Sequence, residues 1–329
     1  MVLKVGFIGA GGMARNHMKR ISTMPNVKIS AICDVAIEKA REASRIYHTS
    51  VYSDFHDMID KEDLDAVWIA IPPFAHSDEV EYAAERGVHC FIEKPIALTL
   101  EKAREMERAA DKYKIKTMVG YHWRQSHPIR RGKDLLDREA GPIGLVAGFW
   151  WGGIAGGPGH WWRRRELSGG QVLEQTTHIF DLCRFLAGEV KRVYAEFATI
   201  LNADKPNFTI EDVSVVTLKF RNGAVGFVTG TSGAKPNGGF VGLRLFARNL
   251  QLNIDGADRV CVFKDKEKLE ITSSADPVYN EDKKFLDAIS MDLPTETPIS
   301  EGTKSLEISI AAIKSAETGR TVELPLPAS

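Results

Sequence analysis

Three polar residues in the middle of the chain have the spacing of an acid–base site. Glu174, His178 and Asp181 follow one another at intervals of four and three residues, so on a helix they lie along one face. An imidazole between two carboxylates suits general acid–base catalysis, because a carboxylate fixes the tautomer of the ring and stabilises the imidazolium. These residues are candidate catalytic groups, and a solvated helix face is the alternative.

A lysine lies between an acid and a proline in Glu93-Lys94-Pro95, directly after a short apolar run. Proline restricts its own φ and the backbone of the residue before it, so the motif points the Lys94 ammonium group in one direction. An ammonium group held in this way can polarise a carbonyl or hydroxyl oxygen, or relay a proton. Lys94 is thus a further candidate catalytic group, with a surface ion pair to Glu93 as the alternative.

A glycine-rich turn near the start of the chain has the spacing of a dinucleotide-binding loop. The segment Gly9-Ala10-Gly11-Gly12-Met13-Ala14 fits the pattern G-x-G-x-x-A between an apolar run and a helical pattern. Gly9 allows a tight turn, and Gly11 lets the backbone approach a pyrophosphate at the N-terminus of the following helix. An ordinary strand–helix turn is the alternative. The loop residues predicted to contact the cofactor are Gly9, Gly11, Gly12 and Met13.

An acid ends the second apolar run, at Asp34. A carboxylate at this place can accept hydrogen bonds from both ribose hydroxyls of a dinucleotide. Its charge would repel a 2′-phosphate, and the sequence has no arginine immediately after it, so NAD is favoured over NADP. The alternative for Asp34 is a helix N-cap.

Two later apolar runs also end in residues suited to cofactor contacts. Ligands of doubly wound sheets bind at the carboxyl ends of the strands, and these residues follow such ends. For a histidine at such a place, a role in packing or in a helix cap is the commoner one. The predicted contacts are Ile71, Pro72, Pro73, His76, Glu93 and Lys94.

A glycine-rich loop at residues 152–159 precedes Trp161, Trp162 and Arg163. Tryptophan rings can stack on the apolar face of a sugar, and a guanidinium group can bind hydroxyl or acid groups. These three residues are therefore candidate substrate contacts, and a hydrophobic anchor for the loop or an oligomer contact is the alternative. No metal site is predicted, because hydride transfer to NAD needs no metal.

The apolar pattern places these motifs in two domains, residues 1–120 and 121–329. In the first, apolar runs at 3–8, 27–33, 66–71, 88–92 and 116–119 alternate with amphipathic segments, which predicts a doubly wound parallel sheet of the Rossmann type. The second has helical patterns near 129–138, 172–187, 280–290 and 301–317 around strand-like segments between 192 and 271. Turns at Asn222-Gly223, Asn237-Gly238-Gly239 and Asp255-Gly256 indicate hairpins, so we expect an α+β domain with a mostly antiparallel sheet.

The composition argues against several other classes of protein. The 329 residues are 43% hydrophobic and 26% charged, as in globular proteins, and a net charge of −1 gives no electrostatic basis for binding nucleic acid or an anionic membrane. The sequence has neither a run of roughly 18 apolar residues nor the pattern of a signal peptide. Its four separated cysteines suit a reducing cytoplasm.

Taken together, the motifs resemble those of the Gfo/Idh/MocA oxidoreductases, the family of glucose–fructose oxidoreductase and inositol dehydrogenase. The resemblance covers essentially the whole chain. The matching positions are the opening Gly9-x-Gly11-x-x-Ala14, Pro72 with His76, Glu93-Lys94-Pro95, Val119-Gly120-Tyr121 with Arg124, and His178-x-x-Asp181.

The resemblance implies that Lys94 and His178 are the catalytic pair and that Asp181 binds the substrate or orients His178. It places Tyr121 and Arg124 among the substrate contacts. It also implies that the antiparallel sheet has an open face used in a homodimer or homotetramer. One residue departs from the pattern, because many inositol-dehydrogenase-like members have aspartate where this chain has Glu174.

The leading hypothesis is an NAD-dependent dehydrogenase that acts on a CH–OH group of a sugar, sugar derivative or cyclitol. A redox-neutral glycosidase is one alternative, in which the sugar is oxidised, the aglycone is eliminated and the hydride is returned. A regulator that senses dinucleotide or sugar without catalysis is another, since one scaffold hosts many functions.

Overall fold

A computed structural model of the chain describes residues 2–327. They form two compact units. The first contains the residues up to Tyr121 together with Val278–Thr303, and the second contains His122–Pro277 together with the residues from Lys304 onward. The sequence-based division at residue 120 had left the segment 278–303 in the second domain, because an amphipathic pattern does not say which sheet a helix covers.

Strands and helices alternate through the first unit, and strands dominate the second. In chain order the strands are β1 (Leu3–Ile8), β2 (Val27–Cys33), β3 (Ser50–Tyr52), β4 (Ala66–Ile69), β5 (His89–Ile92), β6 (Thr117–Val119), β7 (Ile143–Trp151), β8 (Val190–Ala198), β9 (Val213–Phe220), β10 (Val225–Thr231), β11 (Phe240–Ala247), β12 (Gln251–Asp255), β13 (Arg259–Phe263), β14 (Lys268–Thr272) and β15 (Val322–Glu323). The helices are α1 (Gly12–Ile21), α2 (Ile37–Tyr47), α3 (Phe55–Lys61), α4 (Glu79–Glu85), α5 (Leu100–Tyr113), α6 (His127–Glu139), α7 (Arg165–Ser168), α8 (Gln171–Glu174), α9 (Thr177–Ala187), α10 (Pro277–Ser290) and α11 (Ile299–Thr318).

The first unit is built on a six-stranded parallel sheet in the order β3-β2-β1-β4-β5-β6. The order reverses between β1 and β4, which is the place where doubly wound sheets bind ligands. The predicted Rossmann domain is confirmed. The short strand β3 and the helix α3 were not predicted, because a three-residue strand carries almost no periodic signal.

Helix α10 belongs to this unit because its apolar face packs on the central strands. The ring of Phe285 lies 5.3 Å from that of Trp68 and 5.9 Å from that of Phe91, both edge-on. Trp68 and Phe91 are themselves stacked at 5.6 Å. All three side chains are fully buried, so the aromatic contacts account for the return of the chain to the first sheet.

The second unit contains a nine-stranded sheet in the order β14-β13-β12-β11-β7-β10-β9-β8-β15. Only the pair β7–β10 is parallel within it, so the predicted mostly antiparallel sheet is confirmed. Asn222-Gly223 and Asp255-Gly256 turn between paired strands, with positive φ at both glycines. The hairpin expected at Asn237-Gly238-Gly239 was wrong, because β10 and β11 lie on opposite sides of β7 and do not pair.

Helices cover one face of the second sheet. Helix α9 packs against β7, and α6 packs against β13 and β14. A Cβ atom on Gly148 of β7 would lie 2.4 Å from Cγ2 of Ile179, so glycine lets α9 approach the strand closely. Strand β9 alternates between buried residues and more exposed ones such as Val215, which indicates that the opposite face is open.

Among the described residues, no helix combines the length and the apolar character needed to cross a lipid bilayer.

Candidate functional site

The glycine-rich loop joins β1 to α1 at the switch in strand order. Gly9 has φ of 101°, and a Cβ atom there would lie 2.5 Å from the carbonyl oxygen of Ala70, so only glycine fits. A Cβ placed on Gly11 or Gly12 has no atom of the described residues within 4 Å. The backbone is therefore open on that side, directly at the first turn of α1, which suits the pyrophosphate of a dinucleotide.

Asp34 lies beside this loop, at the end of β2. Its Oδ2 accepts a hydrogen bond from the N–H of Ala10 at 2.8 Å, and its Oδ1 accepts one from the N–H of Ala36 at 2.8 Å. The carboxylate thus holds the turn that precedes α1 and remains partly exposed. Its position after the second strand is that of the ribose-binding acid in dinucleotide-binding folds.

His76 follows the short 3-10 turn Pro73–Ala75 beyond β4, and Nδ1 of its ring contacts the buried carboxylate of Glu79. Burial alone would raise the pKa of Glu79, but the hydrogen bonds from His76 and Ser77 outweigh it and lower that pKa. The Nε2 atom of His76 is buried without a hydrogen-bond partner among residues 2–327. Glu79 is a buried partner of the candidate residue His76 that the sequence analysis missed, although the spacing of three residues could have indicated it.

Lys94 comes directly after Glu93, which continues β5. The Glu93 carboxylate is buried, and its Oε2 accepts a hydrogen bond from the backbone N–H of Lys94 at 3.1 Å. Its Oε1 contacts Nε2 of His17 at 2.8 Å. The Lys94-Pro95 peptide bond is cis. The Glu93 carboxylate thus has a buried contact with His17, a residue that the sequence analysis did not single out.

His178 lies in the first turn of α9 and is almost fully buried. The ring of Trp150 stacks on it with a centroid distance of 5.6 Å and an angle of 13°. The ring of His122 meets it edge-on at 4.9 Å. The two rings hold the imidazole in one orientation, so it can exchange a proton at a fixed place. Neither Trp150 nor His122 was predicted.

Asp181 forms an ion pair with Arg124. Nε of Arg124 donates to Oδ2 at 2.8 Å, and Nη2 donates to Oδ1 at 2.7 Å, which is a bidentate pair between two buried side chains. The hydroxyl of Ser305 also donates to Oδ1, at 2.9 Å. The charge of Asp181 is therefore balanced within the second unit. The predicted roles of Asp181 and Arg124 toward substrate stay predictions.

The single helix expected over residues 172–187 was wrong, because it is divided into α8 and α9 by a turn at Gln175 and Thr176. Glu174 ends the first piece, and its Oε2 accepts a hydrogen bond from Nε1 of Trp162 at 2.8 Å. Glu174 is thus placed by the tryptophan, not by the helix face that it shares with His178 in the sequence pattern.

Trp162 packs into a small cluster with Phe208 and Ile210 and is almost fully buried. This is the anchoring role that the sequence left open as the alternative to sugar stacking. Trp161 is partly buried at the edge of the same cluster. Arg163 is buried, and its Nη2 donates to the carbonyl oxygen of Gly156 at 2.8 Å. The side chain of Tyr121, at the end of the first unit, is also buried.

Comparisons with known proteins identify both halves of the chain. The profile described as "Oxidoreductase family, NAD-binding Rossmann fold" (GFO_IDH_MocA) matches residues 3–121, and the profile of the GFO/IDH/MocA C-terminal domain matches residues 130–255. Together they cover most of the sequence. They confirm the family resemblance and the NAD-binding domain expected from the sequence.

Similar proteins include relatives with named activities and one uncharacterized oxidoreductase. Myo-inositol 2-dehydrogenase of Thermotoga maritima is 26% identical over 335 residues, covering 98% of each chain. The uncharacterized oxidoreductase YrbE of Bacillus subtilis is 30% identical over 225 residues, which are 68% of this chain but only 65% of that protein. The solved structure of a levoglucosan dehydrogenase in complex with NADH and levoglucosan has a TM-score of 0.91 at 23% identity, covering 98% of this chain and 100% of that one. This last likeness shows a shared fold.

Proposed function

The chain belongs to the Gfo/Idh/MocA family of oxidoreductases, and on that basis we propose that it transfers hydride between NAD(H) and a hydroxyl-bearing carbon of a sugar, sugar derivative or cyclitol. The observation that carries the proposal is Lys94, held at the carboxyl end of β5 in the sheet that bears the glycine-rich loop. When bound there, NAD accepts the hydride. The residues of this chain bind it, orient the substrate and move the proton.

The cofactor site favours NAD over NADP. Gly9, Gly11, Gly12 and Met13 surround the start of α1, where phosphate groups bind. Asp34 supplies a negative charge where NADP carries its extra phosphate. Its carboxylate supports the ribose contact and opposes the phosphate, so selection between the two cofactors depends on this one side chain.

The proton balance of the reaction assigns complementary roles to two residues. When an alcohol is oxidised, the hydrogen on carbon leaves as a hydride with the electron pair of the C–H bond. The hydrogen on oxygen leaves as a proton, so the enzyme must take up one proton. His178 accepts that proton, and Lys94 stabilises the developing charge on oxygen. Asp181 and Glu174 have supporting roles for His178 in this proposal. Asp181 is held by its ion pair with Arg124, and Glu174 is held by its hydrogen bond from Trp162.

The sugar-like substrate class is supported by the activities of named relatives, which include inositol and levoglucosan dehydrogenases. Tyr121, Arg124, Trp161, Trp162 and Arg163 stay proposed substrate contacts. Burial of Trp162 and the ion pair of Arg124 favour a role in shaping the site over direct stacking or binding.

We also propose a homo-oligomer and a cytoplasmic enzyme. The open face of the second sheet carries Val215, Val225 and Phe246, each more than 40% exposed. Apolar side chains on one sheet face are typical of a buried interface. The four cysteines are buried free thiols, which suits a reducing compartment.

The test is to add NAD, and separately NADP, to the purified protein with a panel of hexoses, uronates, amino sugars and inositols, and to follow NADH absorbance. We expect one sugar class to give an NAD-dependent signal that Lys94→Ala and His178→Ala both abolish, with NAD binding retained. NAD binding without any such signal would contradict the dehydrogenase. If glycosides are then cleaved without net NADH, the redox-neutral glycosidase takes its place.

A further inference from the structure

His17 is fully buried inside the first unit, and a carboxylate contacts each of its ring nitrogens. Nδ1 lies 2.7 Å from Oδ1 of Asp282, and Nε2 lies 2.8 Å from Oε1 of Glu93. His17 is on α1, Asp282 is on α10 and Glu93 follows β5. One imidazole therefore connects the helix that follows the glycine-rich loop, helix α10 and the Glu-Lys-Pro motif.

The second contact of each carboxylate indicates which group donates. Nε1 of Trp68, which can only donate, gives a hydrogen bond to Oδ1 of Asp282 at 2.9 Å. The backbone N–H of Lys94, also only a donor, binds Oε2 of Glu93. Each carboxyl group therefore accepts a hydrogen bond from a fixed donor, as a carboxylate does, and two carboxylates that flank the imidazole would both accept from it. A ring that donates from both nitrogens is an imidazolium.

The electrostatics agree with this geometry. Burial alone would lower the pKa of His17, but the charges and hydrogen bonds of Asp282 and Glu93 more than reverse this and hold it well above 6.5. Burial also raises the pKa of the Asp282 carboxyl, so the two groups together retain the proton more tightly. A buried charge with both donors used is costly to disturb.

We infer that His17 is a positively charged clamp that positions Lys94 through Glu93. The imidazolium fixes one oxygen of Glu93, and the other oxygen holds the backbone N–H of Lys94. Gly120 of the neighbouring segment leaves the space for that carboxylate, because a Cβ atom there would lie 2.9 Å from Oε1. The inference rests on the proposed function, in which Lys94 acts on the substrate, and His17 and Asp282 are positioning residues.

A metal ion bound between His17 and nearby carboxylates is the alternative to a protonated His17. Ligand atoms of His17, Glu93 and Glu281 lie within 4.8 Å of one another. Asp282 on Nδ1 of His17 would then orient a ligating histidine, as carboxylates do in many metal sites. We favour the imidazolium because Nε2 and the Glu93 oxygen are at direct hydrogen-bond distance.

The first measurement is the protonation state of His17. Long-range ¹⁵N–¹H NMR of protein labelled at histidine nitrogen distinguishes imidazolium from neutral imidazole, and His17→Gln identifies the signal among the nine histidines. We expect an imidazolium at pH 8 in the wild type. Asp282→Asn, which keeps the shape of the side chain but removes its charge, should make His17 titrate at lower pH. A neutral His17 in the wild type at pH 8 would overturn the inference, as would a stoichiometric metal whose removal by a chelator changes this signal.

The second measurement is the effect on Lys94. Hydrogen exchange at the Lys94 amide should accelerate in His17→Gln and Asp282→Asn, because Glu93 is no longer held. The kcat of hydride transfer should fall about 10- to 100-fold while the Kd for NADH stays within about 2-fold, since the reacting groups are displaced without loss of the cofactor site. Met18→Leu, a volume-conserving change in the buried face of the same helix, is the matched control and should change none of the three.

The outcomes separate the clamp from the proposed function. If the wild type oxidises no substrate, the proposed dehydrogenase is refuted. If hydrogen exchange at Lys94 is nevertheless faster in the variants, the clamp stays in place. Unchanged exchange at Lys94 in a folded Asp282→Asn protein would refute the clamp. So would equal kcat in the wild type and that variant, even where the wild type is an active dehydrogenase.

Discussion

Arg124 and Asp181 form a bidentate ion pair in which both side chains are about 95% or more buried, 57 residues apart in sequence. Asp181 lies three residues after His178, on the same helix α9. The acid beside the proposed catalytic histidine is therefore neutralised by an arginine of the 3-10 turn His122–Gln125, which also supplies the ring of His122 against His178. The pair ties the turn to the helix.

Loss of this pair should destabilise the second unit strongly. Asp181→Ala leaves the Arg124 guanidinium buried without its partner, and removing one member of a buried pair costs about 3–5 kcal/mol in free energy of unfolding. Urea denaturation followed by tryptophan fluorescence measures it. Asp137→Ala removes an exposed i,i+4 contact with Lys133, and should cost under about 1 kcal/mol. Equal losses in the two variants would contradict the structural role of the Arg124–Asp181 pair.

The glycines of the loop should differ in what they do. Gly9→Ala forces a side chain into positive φ and against the Ala70 carbonyl, so the fold should lose about 1–3 kcal/mol. Gly11 has an ordinary φ of −73° and open space where a Cβ atom would lie, so Gly11→Ala should leave the stability of the fold unchanged. The added methyl group would lie where the pyrophosphate approaches, so NAD affinity should fall about 10-fold or more. Thermal unfolding and NAD titration by fluorescence check the two predictions. A Gly11→Ala protein that binds NAD like the wild type would exclude this loop as the pyrophosphate site.

Asp34 should set the cofactor preference. Asp34→Asn keeps one oxygen that can accept from the N–H of Ala10, loses the acceptor for the N–H of Ala36 and removes the charge, so the ratio of kcat/KM for NAD over NADP should fall about 10-fold or more. Asp57→Asn, a surface change in α3, is the control and should leave the ratio unchanged. Cofactor preference that is insensitive to Asp34 would mean that another residue contacts the ribose.

The charge of His17 should make stability depend on pH. Its pKa in the folded protein is raised above the ordinary 6.5, so the stabilisation is complete below that pH and is lost as pH rises toward the folded pKa. Above pH 6.5 we expect the free energy of unfolding to fall by about 1.4 kcal/mol per pH unit relative to His17→Gln. Denaturant titrations of both proteins between pH 6 and 9 give the difference. Parallel curves would show that His17 holds no extra proton in the folded state.

The open face of the second sheet should carry the oligomer contact. Val215→Lys and Phe246→Lys place charges among exposed apolar side chains of that face, and a charge buried in an interface is strongly unfavourable. Light scattering after gel filtration should show a smaller mass for both variants than for the wild type. Leu269→Lys, on the edge strand β14, is the control and should keep the wild-type mass.

The sequence alone was enough for the features that depend on neighbours in the chain. The G-x-G-x-x-A turn at Gly9, the acid at Asp34 and the alternation of apolar runs are local patterns, so the Rossmann domain and its glycine-rich loop follow from them. The Asn222-Gly223 and Asp255-Gly256 hairpins are local as well. The Glu-Lys-Pro motif marked Lys94 because proline acts on the residue before it.

Only the tertiary structure decided which distant groups meet. His17 and Asp282 are 265 residues apart, and Arg124 and Asp181 are 57 apart, so no pattern within a window of the chain could pair them. Periodicity indicates that a face is buried but not what covers it, which is why the sequence placed Val278–Thr303 with the second domain and left sugar stacking and loop anchoring both open for Trp162. The partners of a buried charge are selected by packing and by the cost of leaving that charge uncompensated, and both depend on the whole fold.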